Sequence, residues 1–206
     1  MRTLFTFLLV PFLAFSQADI KLNISNAILY ELNLSYEHML NDYMTVSGFG
    51  GYFYGFPDDA NGTKYWYVGP EMRYYVSPRN GADRFFLGLY MRYNSGQASS
   101  SVYESGNLTG SNMYESLYTD YEEDFNALAI GFMLGSKWVT KQGFVFGFFG
   151  GFGRNIFSNF DEYEGKGPHY QLFDPDSYYY YVERYGAISQ YWDWRIGFNI
   201  GWRLGK

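Results

Sequence analysis

The chain has 206 residues, no cysteine and a formal charge of -6, which fits one domain without disulfides or thiolate metal sites. Aromatic residues make up 23% of it, with 23 Tyr and 20 Phe, yet mean hydropathy is -0.28. A soluble core has no need of so many tyrosines, whereas a membrane barrel places amphipathic rings at both water–lipid boundaries. The acidic balance excludes electrostatically driven nucleic-acid binding, which requires basic patches against phosphate.

Residues 1–16 read as a secretory signal. Arg2 supplies the positive start, 4–15 is a short apolar run, and Ala14-Phe15-Ser16 is a small-x-small cleavage site. The run is about half the ~20 residues that a spanning helix needs. Residues 17–206 are then expected to form one barrel domain, beginning at Gln17.

From there apolar residues recur at every second position, the period of a strand with two different faces. The first strand is predicted over 19–25, with Ile20, Leu22 and Ile24 opposite Lys21, Asn23 and Ser25. The second, over 27–40, sets Ile28, Tyr30, Leu32, Leu34 and Tyr36 opposite Glu31, Asn33, Ser35 and Glu37. An Asn41-Asp42 turn opens the third, 43–54. The fourth, 65–76, places Trp66, Val68, Met72 and Tyr74 opposite Glu71 and Arg73. Pro78 and Asn80-Gly81 mark a turn. The fifth strand, 84–94, alternates Phe85, Leu87, Leu89, Met91 and Tyr93 with Arg84, Tyr90 and Arg92. The sixth, 125–139, carries Leu128, Ile130, Phe132, Leu134 and Trp138 on one face and Lys137 on the other. A turn over 140–143 leads to the seventh, 144–157, rich in Phe and Gly. The last, 191–204, sets Trp192, Trp194, Ile196, Phe198, Ile200, Trp202 and Leu204 against Asp193, Arg195, Asn199 and Arg203.

The fold expected is all-β: an eight-stranded antiparallel up-and-down transmembrane β-barrel in the outer membrane of a Gram-negative bacterium. Short links after strands two, four and six alternate with long ones at 55–63, 95–124 and 158–190, the pattern of periplasmic turns and external loops. The link near Asn26 is predicted as a very tight external turn; it is the one connection that could change the count, to ten. Charge assigns the faces. An Arg on the lipid side costs roughly 2–4 kcal/mol at the midplane, so the charged residues point inward.

Eight strands leave an interior just wide enough for side chains. Glu31, Arg92, Asp193 and Arg195 are expected to meet in the outer half. Glu37, Glu71, Arg73, Arg84, Lys137 and Arg203 are expected in the lower half. Mixed signs in that space should satisfy one another as ion pairs, because an unpaired buried charge is very costly. A narrow ion path is the alternative.

The long loops are acidic: 95–124 holds Glu104, Glu115, Asp120, Glu122, Glu123 and Asp124 without Lys or Arg. Such carboxylates suit Ca²⁺ in kind, but 58–62 is only a fragment of an EF-hand pattern, and no metal or other cofactor is expected. Tyr178, Tyr179, Tyr180 and Tyr181 offer rings that could stack on a glycan or a protein, or extend the upper aromatic girdle. Catalysis has little support. His38 lies on the lipid-side phase, and His169 stands in the last loop near Asp174 and Ser177, with no nucleophile elbow or zinc-binding His-Glu-x-x-His pattern. The chain is read as a non-enzyme.

Several short stretches carry a family resemblance. They are Ile20-Lys21-Leu22-Asn23, Glu31 to Glu37 followed by Leu40-Asn41, Pro70-Glu71-Met72-Arg73-Tyr74-Tyr75, and the closing Ile196 to Arg203. Together they resemble a Bacteroidota family of small uncharacterised outer-membrane barrels that carries a domain of unknown function. The resemblance implies an OmpA-like eight-stranded barrel without assigned activity, whose recurrent Glu and Arg fall here on Glu37, Glu71, Arg73 and Arg203. Leu204-Gly205-Lys206 departs from the family's terminal aromatic, which aids recognition by the barrel-assembly machinery, and leaves Trp202 to serve instead.

The functional expectation is a structural or surface-interaction barrel, with the lipid bilayer, the assembly machinery and a surface glycan or protein as partners. A narrow pore, a lipid-modifying enzyme using His169 and a soluble lipocalin-like carrier are the competing readings.

Overall fold

The computed structural model describes residues 17–55, 63–159, 169–185 and 191–205. The predicted signal segment and the 58–62 fragment lie outside them.

Among the described residues the strands are β1 (Ala18–Asn23), β2 (Glu31–Met39), β3 (Met44–Phe53), β4 (Lys64–Tyr75), β5 (Arg84–Asn107), β6 (Tyr114–Val139), β7 (Phe144–Ser158), β8 (Tyr179–Tyr185) and β9 (Trp192–Leu204). All pairings are antiparallel. They run β1-β2-β3-β4-β5-β6-β7-β9 and return to β1, which closes an eight-stranded barrel. β8 stands outside the ring and pairs with the upper part of β5.

Side-chain chemistry fixes the short lower turns. Asn41 Oδ1 accepts from the amides of Tyr43 at 2.8 Å and Met44 at 2.9 Å, an Asx turn. Asp83 Oδ1 accepts from Asn80 N at 3.1 Å, holding the β4–β5 turn. In the β6–β7 turn Thr140 Oγ1 accepts from Phe144 N at 3.0 Å, and Gly143 takes φ +94°, a left-handed conformation that suits glycine.

Three expectations need correction. The link near Asn26 is not a tight turn but one turn of helix, α1 (Ile24–Ile28), so β1 ends at Asn23 and β2 begins at Glu31. Asn23 caps it, its Oδ1 accepting from Asn26 N at 3.4 Å and from Ser25 Oγ at 2.8 Å. Asn and Ser bond locally to backbone more readily than they continue a ladder. The eight-strand count survives. Second, the expected loop 95–124 is mostly ladder: β5 and β6 pair without a break from Arg84↔Lys137 to Asn107↔Tyr114. Third, the expected loop 158–190 contains β8.

The barrel is inside out relative to a soluble protein. β4 alternates without exception, with Trp66, Val68, Met72 and Tyr74 exposed and Tyr67, Glu71, Arg73 and Tyr75 buried. On β9, Trp194 and Ile196 are 70% and 71% exposed, whereas the intervening Arg195 is buried.

The seam where β9 meets β1 tolerates no added bulk. A Cβ on Gly201 would lie 2.0 Å from the backbone oxygen of Ile20, whereas one on Gly48 would meet nothing within 4 Å. Overpacking of this kind costs about 1–3 kcal/mol. Gly201→Ala should therefore lower the unfolding free energy of the barrel in urea by that amount, while Gly48→Ala leaves it in place. Equal effects from the two variants would contradict this seam.

Candidate functional site

The inward faces of β1, β2, β4, β6 and β9 bring charges of both signs to one level in the lower barrel. Glu37 is at its centre, 0% exposed. Its carboxylate pairs with Lys21, takes Lys137 Nζ at 2.6 Å and Arg73 Nη1 at 3.3 Å, and accepts the Tyr75 hydroxyl at 2.6 Å. Arg73 also pairs with Glu71, whose other oxygen meets Arg195 Nη1 at 3.3 Å. Lys137 reaches Asp19 at 2.7 Å. Arg203 takes Asp19 in a two-point grip, Nε to Oδ1 at 2.8 Å and Nη2 to Oδ2 at 3.2 Å, the planar fork that Lys cannot supply.

Cations outnumber carboxylates at this level, and aromatic faces take up the difference. The Arg195 guanidinium lies 3.9 Å from the Phe49 centroid and 4.6 Å from that of Tyr90. Arg73 sits 4.3 Å over Phe86, and Lys137 sits 4.6 Å from Tyr75. The negative ring face attracts a cation most strongly where water is excluded. The space between Lys21, Arg73, Phe86 and Lys137 has a cavity volume of about 10 Å³, room for a single water at most.

Arg203 also closes the lower mouth. Its Nη1 donates to the carbonyl oxygens of Asn80 and Gly81, the latter at 2.7 Å, which draws the β4–β5 turn under the barrel. Ala82 in that turn is fully buried. Higher up, Arg92 pairs with Asp193, which accepts the Tyr90 hydroxyl at 2.7 Å, while Glu31 takes the Tyr67 hydroxyl and the Asn26 amide.

The structure thus brings Glu37, Glu71, Arg73, Lys137 and Arg203 together, and Arg92 with Asp193. Three expected positions differ. Glu31 holds the Tyr67 hydroxyl and the Asn26 side-chain amide rather than a cation, because those two donors stand nearer to it than Arg92, which Asp193 takes. Arg195 reaches down to Glu71 rather than joining the upper group, because the guanidinium fits the aromatic slot formed by Phe49, Tyr90 and Phe149. Arg84 stands at the lower rim with φ +75° and donates to the Ser77 carbonyl at 3.4 Å; its place at the start of β5 keeps it outside the cluster. Asp19 and Lys21 are members that sequence reasoning did not enlist, although alternation along β1 puts both on the polar face.

Above the barrel, Glu104 on β5 is also 0% exposed. It accepts the His169 amide at 3.1 Å, faces His169 Nδ1 at 3.1 Å and accepts the Tyr178 hydroxyl at 2.9 Å. Beside it Phe173 is buried and packs at a tilt against Tyr178, with centroids 5.6 Å apart. Backbone bonds from Thr109 N to Leu172 O at 3.0 Å and Asp174 N to Asn107 O at 2.8 Å tie the 169–178 segment to the hairpin tip. Tyr178 is therefore a structural clasp, and Tyr179 is exposed. Tyr180 and Tyr181 pair through their backbones with Glu104 and Tyr103; their side chains lie outside the described ones. His38 lies on the outward phase of β2, opposite Val46. Among the described residues no three His, Asp or Glu side chains converge as a metal cage.

Removing one partner of a buried ion pair strands the rest, at a cost of about 3–5 kcal/mol. Glu37→Ala should lose that much in equilibrium unfolding from micelles, against about 0.5 kcal/mol or less for Arg84→Ala. Similar losses from both would show that the cluster does not hold the barrel. Glu104→Ala should open the 169–178 clasp, seen as protease cleavage there while the barrel stays protected. Unchanged cleavage would contradict the clasp.

Residues 2–188 match the family described as "Protein of unknown function (DUF3575)". No curated protein and no solved structure matches the chain.

Proposed function

The chain belongs to the DUF3575 family, and from that premise we propose that it is a closed, non-conducting outer-membrane barrel that carries an external β-sheet head for surface contact. The observation that carries this reading is the pairing of an apolar exterior with a filled, charged interior. A wall that exposes Leu32, Leu34, Val68, Leu87, Leu89, Phe132, Leu134, Trp194 and Ile196 together is an interaction surface far beyond what water tolerates on a monomer. Lipid is the medium that suits it. Aromatic residues gather near both ends of this belt, with Trp138, Phe144 and Trp202 low and Trp66, Tyr52 and Trp192 high, as amphipathic rings do at bilayer boundaries.

The interior supports closure. A water-filled pore would leave its lining wet, but Lys21, Glu37, Tyr75, Phe86 and Lys137 are each no more than 2% exposed. The extended β5–β6 hairpin, β8 and the clasped 169–178 segment form a head above the barrel, and its exposed Tyr114, Tyr118 and Tyr179 suit contact with a partner or glycan.

The direct test is electrical. The purified barrel in a planar bilayer should add no reproducible single-channel steps, and Glu37→Ala should be needed before leaks appear. Regular steps from the wild-type protein would overturn the closed reading in favour of a narrow pore.

A further inference from the structure

The outward face of β6, β7 and β9 is built in rows set by the register. Ile130, Arg154 and Trp192 lie abreast at the top. Phe132, Phe152 and Trp194 form the next row, and Leu134, Gly150 and Ile196 the one below. Arg154 is exposed on this otherwise apolar wall, its guanidinium 6.0 Å from the Trp192 ring centroid. Trp192 stacks on Phe152 at 5.0 Å, and Phe152 packs on Trp194 at 4.5 Å. Beneath them Gly150 leaves a gap: a Cβ there would meet nothing within 4 Å. The result is an open apolar groove of about 530 Å³ between Phe132, Leu134, Phe152, Trp194 and Ile196.

Height gives the arrangement its meaning. At ~3.3 Å per residue and ~40° tilt, the climb along β7 from Phe144 to Arg154 is roughly 25 Å, the height of a lipid-facing band. Arg154 therefore stands at the upper boundary of the belt, where an outward Arg costs only about 0–1 kcal/mol. The groove below it lies at the depth of acyl chains. The long hairpin above is acidic, with no Lys or Arg between residues 95 and 124; Lys64 at the upper end of β4 and Arg184 on β8 lie away from this wall, where Arg154 supplies the outward positive charge.

We propose that this face binds one phosphorylated glycolipid of the outer leaflet, with its phosphate on Arg154 and an acyl chain in the groove over Gly150. This rests on the outer-membrane reading above. A guanidinium fork matches a phosphate in two-point geometry, and the Trp192 face holds the fork at the boundary. A missing side chain in an otherwise bulky row admits a chain that Leu or Phe would displace. The face belongs to the end carrying the long loops, the outer leaflet in that reading, where lipid phosphate is carried on sugar.

The test uses the mature chain in phosphatidylcholine nanodiscs, with binding followed by native mass spectrometry. The probes are diphosphorylated lipid A, its dephosphorylated form, phosphatidylglycerol and inorganic phosphate. Diphosphorylated lipid A should be retained, and Arg154→Gln and Gly150→Leu should each weaken it at least about tenfold. Dephosphorylated lipid and phosphatidylglycerol should bind at least that much more weakly, and inorganic phosphate should not compete. Equal binding by either variant, or by either of those lipids, overturns the site, as does competition by free phosphate. Heat-modifiable gel mobility checks that each variant is folded. A wild-type protein that does not enter nanodiscs at all overturns the outer-membrane reading, and this inference with it; one that enters but binds every lipid alike overturns this inference alone.

Discussion

The structure depends on one buried carboxylate. Glu37 gathers Lys21 from β1, Arg73 and Tyr75 from β4 and Lys137 from β6, so strands far apart in sequence meet at one carboxylate inside the barrel. A barrel whose greasy side faces outward has an interior of mixed kind, in which an aromatic-rich cluster including Phe49, Phe53, Tyr65, Phe125 and Met133 lies beside the charged groups. Its interior must be held by groups that satisfy each other, because any charge left unmatched there costs several kcal/mol. Aromatic side chains complete the match. Phe49, Tyr90, Phe149 and Phe86 offer ring faces to Arg195 and Arg73, and they fill space that ions alone would leave open.

That constraint also organises the rest of the barrel. Arg203 extends the network to the lower mouth by holding both Asp19 and the β4–β5 turn. Upward, Arg92, Asp193 and Tyr90 continue it toward the external end. Glycines at inward positions make room for the large members; Gly131 and Gly153 lie against the ring and hydroxyl of Tyr90. With the lumen occupied, the surfaces left open are those outside it: the head above the barrel and the outer wall.

The barrel was legible in the sequence because its strands have two chemically opposite faces. β4 and β9 alternate so cleanly that facing, register parity and the charged interior follow from the sequence alone. The outer part of the β5–β6 hairpin was not legible, for a physical reason. Beyond Asn94 the ladder rises above the closed barrel, so Ser, Gly and Glu replace the apolar positions and the period of two disappears from the hydropathy. β8 is hidden likewise, since its tyrosines read as a loop run until β5 supplies a partner. α1 escaped because Ile24 and Ile28 fit the strand alternation on either side, while the capping role of Asn23 decides the local geometry. In the interior cluster, charge and phase located the residues but not their partners. Arg195 follows its aromatic slot to Glu71, and Arg84 falls short because it begins its strand.

The most direct measurement of the sealed interior is the reactivity of its amines. A small amine-reactive reagent applied to the folded barrel, with modification mapped by mass spectrometry, should label the exposed Lys64 and Lys141. It should leave Lys21 and Lys137, 1% and 2% exposed, untouched until the barrel is unfolded. Labelling of Lys21 or Lys137 at the rate of Lys64 in the folded protein would mean that water fills the lumen, and would contradict the account at its centre.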